Sequence, residues 1–367
     1  MKRSFTSFAL LLALAAGARA EGSPDWKQAL PGWRYEFPRD HHAHPEFKTE
    51  WWYFTGNLEA EDGRRFGFQL TFFRQGVRRG AADSRFAVDD IKLAHFAVTD
   101  IGARRFYHAQ KVSRGTFGEA GFSGGDRIAW IADWELVVAG EGKFRLAARD
   151  KDFALSLDLA AAKPPVFHGE NGVSQKSAGE GRASHYYSFT RLEASGTLEL
   201  EGKPIAVRGL AWFDQEWATN QLTENQTGWD WLSMQFDDGS ELMLFQIRLK
   251  EGGRDPFSHG TWIAADGKAL PIKHADFELQ PGRTWRSDET GGEYPVEWSV
   301  RIPKLALEIA VEAALDGQEL ILRPISYWEG SVGASGRRGD AVITGRGYLE
   351  MTGYAGGLVG LQAPGQR

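Results

Sequence analysis

Residues 51–73 read WWYFTGNLEAEDGRRFGFQLTFF. Two aromatic runs, 51–58 and 66–73, flank the tripeptide Glu61-Asp62-Gly63. Side chains of a strand point alternately to opposite faces, and Asp-Gly between two such runs is a strong hairpin signal. The arrangement recurs at 229–236 and 241–249, around Asp238-Gly239. Further runs of strand character fall at 93–101, 128–138, 144–148, 153–159, 197–200, 205–213, 260–265, 296–302, 305–311 and 348–352. Alanine-rich stretches such as 159–163 are too short for helices, and Pro164-Pro165 ends that one. Many short strands separated by turn residues predict an all-β fold, a sandwich or a barrel.

The echo between Trp51-Trp52 and Trp229-x-Trp231 predicts two barrels packed together. Residues 164–182, rich in Gly, Ser and Pro, read as a long loop. A boundary is expected near residue 195, after a strand at 185–192, giving units 21–195 and 196–360. The first twenty residues read differently. Lys2 and Arg3 precede an apolar run from Phe5 to Ala16, and Ala18-Arg19-Ala20 places small residues before Glu21. This is the pattern of a secretory signal peptide cut after Ala20. Cleavage removes three basic residues and no acid, which leaves a mature charge of −9.

The 367-residue chain has 42% hydrophobic residues, enough for a sizeable core, and no cysteine. Thiol catalysis, disulfides and Cys-ligated metal centres are thereby excluded. A net charge of −6 argues against a nucleic-acid surface, and no apolar run reaches the roughly 20 residues of a membrane-spanning helix. Export without cysteine points to a bacterial periplasm or to secretion. No G-x-S-x-G elbow, phosphate-cradling loop or dinucleotide fingerprint occurs. No cofactor is expected.

Three groups of residues carry chemical potential. The first is Asp40-His41-His42-Ala43-His44-Pro45 with Glu50, followed by Trp51, Trp52 and Tyr53. Histidine beside a carboxylate suits acid–base work near neutral pH. The same cluster also fits a polar structural loop or a metal site, although no helical ligand spacing supports a metal. The second is Trp212-Phe213-Asp214-Gln215-Glu216-Trp217. In a strand Trp212, Asp214 and Glu216 share a face, with the two acids about 6.6 Å apart along it. Two carboxyls desolvated together push one pKa upward, which yields a proton donor beside an ionised base. The third is His185-Tyr186-Tyr187-Ser188, where His185 and Tyr187 face one way and Tyr186 and Ser188 the other. Trp229 and Trp231 add aromatic walls suited to a polyene, a lipid or a sugar ring. Paired acids among tryptophans also fit a glycoside hydrolase.

The stretch from Phe37 to Leu58, with Asp40-His41-x-Ala43-His44-Pro45-Glu46-Phe47-Lys48-Thr49-Glu50-Trp51-Trp52-Tyr53 at its centre, resembles the opening signature of the AttH-like predicted secreted hydrolases. These are lipocalin-like proteins related to the CrtC-type carotenoid hydratases. Tyr186-Tyr187-Ser188-Phe189-Thr190-Arg191, Trp212-Phe213-Asp214-x-x-Trp217 and Gly228-Trp229-x-Trp231 extend the resemblance over nearly the whole mature chain. It implies two lipocalin-like antiparallel β-barrel domains. It also implies a lipophilic small-molecule ligand and association with an ABC transporter. At the positions of Phe213 and Gln215 the carotenoid hydratases carry histidines, whereas Asp214 and Trp217 match.

Two functions are expected. One is an exported hydrolase or hydro-lyase with Asp214 as proton donor and Glu50, His44 or Glu216 as base. Tyr186 assists there, and Trp51, Trp52, Trp217 and Trp229 form walls. Asp40, His41, Tyr53, His185, Trp212 and Trp231 complete the ligand contacts. The other is a non-catalytic carrier of a lipophilic molecule.

Overall fold

The computed structural model describes residues 26–79, 87–323 and 325–356. The expected leader and its cleavage point lie outside them. Among the described residues the chain is built from antiparallel strands and four short 3-10 turns, with no α-helix. None is therefore long and apolar enough to cross a membrane.

Both predicted hairpins form. Thr49–Ala60 pairs with Arg65–Gly76, and Gln226–Phe236 pairs with Glu241–Leu249. The turns close at Gly63 and Gly239, whose φ values of 82° and 81° belong to the left-handed region that favours glycine. The side chains of Asp62 and Asp238 accept the backbone N–H two residues on, at 3.1 and 2.9 Å, which locks each turn.

Thirteen strands make the first sheet. Its central ladder runs Arg65–Gly76, Thr49–Ala60, Lys203–Ala218, Ala183–Leu200, Phe153–Ala161. The sheet curls until its two ends meet: Arg127–Ile131 touches Asp90–Asp100 and Arg105–Ser113, and Ser113 Oγ donates to Glu119 at 2.9 Å. The result is a nearly closed barrel. The second sheet has ten strands between Gln226 and Met351 and curls into a half-barrel. Each curled sheet holds its own apolar interior, and a third core joins them.

The expected boundary at 195 falls within the strand Ala183–Leu200, and the passage between sheets lies between Ala218 and Gln226. The reason is the hairpin 183–218. Its second strand, Lys203–Ala218, pairs with Thr49–Ala60 and so completes the first sheet. The predicted loop 164–182 also differs from expectation. It contributes the short strands Val166–Phe167 and Val173–Gln175, both paired with Ala183–Leu200.

The sheets press together where Thr49–Ala60 and Arg65–Gly76 meet Ala341–Met351 and Tyr327–Arg338. A methyl group on Gly67 would stand 2.7 Å from Ser331 Cβ, so the sheets approach closely there only because that side chain is missing. Asn57 ties the layers by donating to the Gly347 carbonyl at 3.1 Å and accepting from Ser331 Oγ at 2.6 Å. Strand Thr49–Ala60 is consequently buried on both faces, one inside the barrel and one between the sheets.

Candidate active site

Alternation along Lys203–Ala218 sorts the candidate residues into two groups. Asp214 pairs in register with Tyr53 and Ser188, and Glu216 pairs with Trp51 and Tyr186. With Trp212, these residues project between the sheets. Gln215 and Trp217 project the other way, into the barrel, opposite Trp52 and Tyr187 and opposite Glu50 and His185 respectively.

Inside the barrel the residues 36–50 are bolted in place. His44 presents Nδ1 to Glu50 Oε1 at 2.7 Å and Nε2 to Asp40 Oδ1 at 3.3 Å. Its backbone N–H donates to the other Glu50 oxygen at 2.7 Å. The ring stacks on Trp217, with centroids 3.8 Å apart and planes 7° from parallel. Burial works against charge on this imidazole, but Glu50 and Asp40 outweigh it and push its pKa up to about 9. The stacked pair is thus an imidazolium on an indole face. Arg74 donates to the His44 and Phe47 carbonyls at 2.9 and 2.5 Å. Gln215 donates to Glu50 at 3.1 Å and accepts from Tyr187 at 2.6 Å, and Tyr187 OH meets His41 Nδ1 at 2.7 Å. Trp52 donates to the His41 carbonyl at 2.9 Å. Burial lowers the His41 and His185 pKa values to about 4, so both rings are neutral. His185 packs between Trp33 and Trp217.

Between the sheets the chemistry is different. Asp214 Oδ2 accepts from Tyr186 OH at 2.6 Å, and Oδ1 accepts from Trp212 Nε1 at 2.6 Å and from Ser188. Burial raises the pKa of this carboxyl more strongly than the three donors lower it, and Glu216 adds repulsion. The outcome is about 7. Asp214 therefore exists in both protonation states near neutral pH, the condition for proton transfer in either direction. Trp231 Nε1 donates to Tyr186 OH at 3.1 Å, which leaves the Tyr186 proton for Asp214. Behind Ser188, His168 Nε2 sits 2.7 Å from the hydroxyl, and His168 Nδ1 sits 2.9 Å from Thr261 Oγ1. Because Ser188 donates to Asp214, it accepts from His168 Nε2–H, and Thr261 then donates to Nδ1. Here the carboxyl holds the serine rather than the histidine. That is the reverse of a catalytic triad, in which the acid orients the histidine.

Glu216 is ion-paired with Lys176 at 2.8 Å and accepts from Ser184. The buried ammonium of Lys176 also lies 4.2 Å from the Phe245 ring centre and 5.2 Å from that of Tyr186. The second sheet supplies Trp229, Trp231, Phe245 and Met243 as walls, and Trp229 Nε1 donates to Glu350 at 3.1 Å. Burial first, then Asp214 and Glu216, raise the Glu350 pKa to about 8. Trp51, Trp229, Phe257 and Ile325 are only partly covered and form the margin of this core.

The predicted set is therefore divided by the sheet itself. Asp214, Glu216, Tyr186, Trp51, Tyr53, Trp212, Trp229 and Trp231 come together between the layers. His44, Glu50, Asp40, His41, Trp52, His185 and Trp217 lie on the barrel side. The expectation that Glu50 or His44 serves as base to Asp214, with Trp217 and Trp52 as walls of the same site, is corrected by this geometry. Residues an odd number apart on a strand cannot share a face. Sequence reasoning missed His168 and Lys176, which sit in the stretch read as loop, and Glu329 and Glu350, which are isolated acids in the sequence. Of the four only Glu350 carried a signal, as an acid inside the strand candidate 348–352.

The sequence pattern of the AttH-like family matches residues 28–354. A crystallographically determined protein described as an AttH from Nitrosomonas europaea is 38% identical, with a TM-score of 0.81. That match covers 89% of this chain and 99% of the other. Kievitone hydratase from Nectria haematococca shares the fold at 14% identity and a TM-score of 0.69, over 91% of this chain and 98% of its own. A protein named dehydratase asqC, from Emericella nidulans, is 23% identical over 181 residues, 47% of this chain. The chain spans about half the length of that curated relative, 50%. With the family pattern running from 28 to 354 and a 38% identical relative matched almost end to end, the chain belongs to the AttH-like family.

Proposed function

We propose that the protein is a hydro-lyase that adds water to, or removes it from, an apolar or amphipathic small molecule held between the sheets. The observation that carries this reading is Asp214, a buried carboxyl with three donors, a pKa near 7 and aromatic walls. The fold shared with a hydratase and the partial likeness to a dehydratase support the same reaction class.

In dehydration the Asp214 carboxyl protonates the substrate hydroxyl, and the C–O bond breaks with its electrons on oxygen, releasing water. The electron pair of the adjacent C–H bond becomes the alkene, and its proton passes to Glu216, the other carboxylate on that strand face. Asp214 ends as the carboxylate and Glu216 as the acid, and exchange with the released water resets them. Hydration is the reverse. Tyr186 and Ser188 hold the Asp214 oxygens in place, and the indoles of Trp212 and Trp231 shield developing positive charge.

Export to the periplasm or beyond, with cleavage after Ala20, belongs to the same proposal. The mature protein isolated from a periplasmic extract should begin at Glu21 when sequenced from its N-terminus. Native mass spectrometry followed by solvent extraction identifies the co-purified molecule, which is then incubated with protein in ¹⁸O-water. The proposal expects labelled oxygen to be gained, or water to be lost, by the wild type and not by Asp214→Asn, while both retain the ligand. A carrier that serves an ABC transporter would bind the molecule and leave its mass unchanged, and that result would sink the enzymatic reading.

A further inference from the structure

Glu329 lies in strand Tyr327–Arg338, on the second sheet's side of the site. It pairs in register with Glu350, which itself pairs with Trp231. Its side chain is completely buried, and it stands beside the hydroxyls of Tyr53 and Tyr327. Among the described residues neither carboxyl oxygen of Glu329 nor the Tyr53 hydroxyl closes a well-aligned hydrogen bond, although the Tyr53 and Tyr327 hydroxyls lie near enough to temper the rise in the Glu329 pKa. Tyr327 OH is already engaged with His95 Nδ1 at 2.7 Å. Tyr53 belongs to the first sheet, is the register neighbour of Asp214, and packs edge-on against Trp231 with centroids 5.1 Å apart. The unpaired polar atoms thus share the buried layer that contains the reactive carboxyl.

Buried polar groups are nearly always hydrogen-bonded, and a group left without a partner is costly unless something else supplies one. Among the described residues no Lys or Arg pairs with Glu329. Burial, then repulsion from Glu350, pushes its carboxyl well above the ordinary carboxylate range and so favours the neutral form. A neutral carboxyl both donates and accepts, and a free phenol donates. Together they complement an uncharged oxygen.

We propose that Glu329 and Tyr53 form an oxygen-recognition subsite, which takes a carbonyl or hydroxyl group of the ligand and excludes ligands that present a carboxylate. This rests on the reading of the intersheet layer as the ligand site and deepens it: the substrate is a neutral, oxygenated apolar molecule. Its second oxygen is held by Glu329 while the reacting carbon faces Asp214. A carboxylate in the same place would meet Glu350 and Asp214, and among the described residues the nearby cation Lys176 is already bound to Glu216.

A matched set of probes tests this without knowledge of the substrate. Acetophenone, ethylbenzene and benzoate share a ring and differ in the oxygen. Calorimetric titration of the full-length mature protein is expected to show acetophenone binding at least ten-fold tighter than ethylbenzene, with benzoate weakest. Glu329→Leu should erase the preference for the ketone and retain ethylbenzene. An infrared measurement covers the case in which that variant fails to fold. In the wild type, acetophenone should lower the ketone stretch and shift a protonated-carboxyl band that Glu329→Gln lacks. Equal binding of ketone and hydrocarbon, no ketone binding, a preference unchanged in Glu329→Leu, or an unmoved carboxyl band each overturns the subsite. Turnover plays no part in these readouts. Loss of activity in Asp214→Asn with no ketone preference would reject only the subsite. A Glu329-dependent preference with no turnover of any extracted ligand would reject only the hydro-lyase.

Discussion

The two faces of strand Lys203–Ala218 carry polar side chains of similar kinds and use them oppositely. On the barrel side His44, Glu50, Asp40, Arg74, Gln215 and Tyr187 close a network in which His44 has a carboxylate on each ring nitrogen. On the intersheet side competing influences hold the Asp214 pKa near 7, and neither oxygen of Glu329 closes a well-aligned hydrogen bond among the described residues. A saturated buried network fixes a conformation, because breaking any member strands the rest. A buried acid with a shifted pKa and unpaired neighbours is poised for another molecule.

The sharpest way to break this comparison is Asp214→Asn. General acid catalysis contributes roughly 10²–10⁴-fold, so turnover of the extracted ligand should fall by about that factor. Thermal melting should stay within a few degrees of wild type. If the variant instead unfolds with activity intact in the folded fraction, the intersheet face is structural. The mirror experiment is Glu50→Ala, which leaves Arg74 without its carboxylate and the His44 imidazolium with Asp40 alone. Removing one partner of a buried ion pair costs about 3–5 kcal/mol. Urea unfolding should show that loss, with kcat unchanged for molecules that remain folded.

pH separates the faces further. His44 has its pKa raised from 6.5 to about 9 on folding. Its stabilising contribution is fully present below about pH 6.5 and is lost as pH rises through 9. Unfolding free energy should decline over that window, and His44→Gln should be less stable at pH 6 with the decline flattened. On the hydro-lyase reading Asp214 acts in its protonated form in dehydration, so kcat is expected to fall above about pH 7. That limb should be the same in His44→Gln, and a shift there would couple the two faces. The smallest effect is expected from Trp229→Phe, which keeps a ring and deletes the 3.1 Å bond to Glu350. A hydrogen bond of about 1 kcal/mol predicts ligand affinity a few-fold weaker, measured by titration, with no change in melting.

Much of the site was legible in the spacing. Trp212, Asp214 and Glu216 share a face, as their period of two requires, and so do Tyr186 and Ser188. The hairpins at Asp62-Gly63 and Asp238-Gly239 were legible for the same local reason. What spacing left open was which face looks where. Trp51, Trp52, Tyr53 and Phe54 are all large and aromatic because their strand is buried on both sides, so hydrophobicity could not mark the barrel interior. His44 and Glu50 looked like partners for Asp214 because their residue types suit acid–base work, and no local pattern showed that they lie on the opposite side of the sheet.

The sequence by itself determined the all-β architecture, the hairpins, the family signature and the alternation that groups Asp214 with Glu216. These follow from turn chemistry and from a side-chain period of two, which act over a few residues. Only the tertiary structure decided that residues 183–218 complete the first sheet and that Lys176 reaches Glu216 from the 164–182 segment. It also decided that Glu350 acts on Asp214 from the other layer, with Glu329 beside it at Tyr53, more than a hundred residues away in the chain. Such contacts depend on how two curled sheets pack, and no local pattern of residues encodes that.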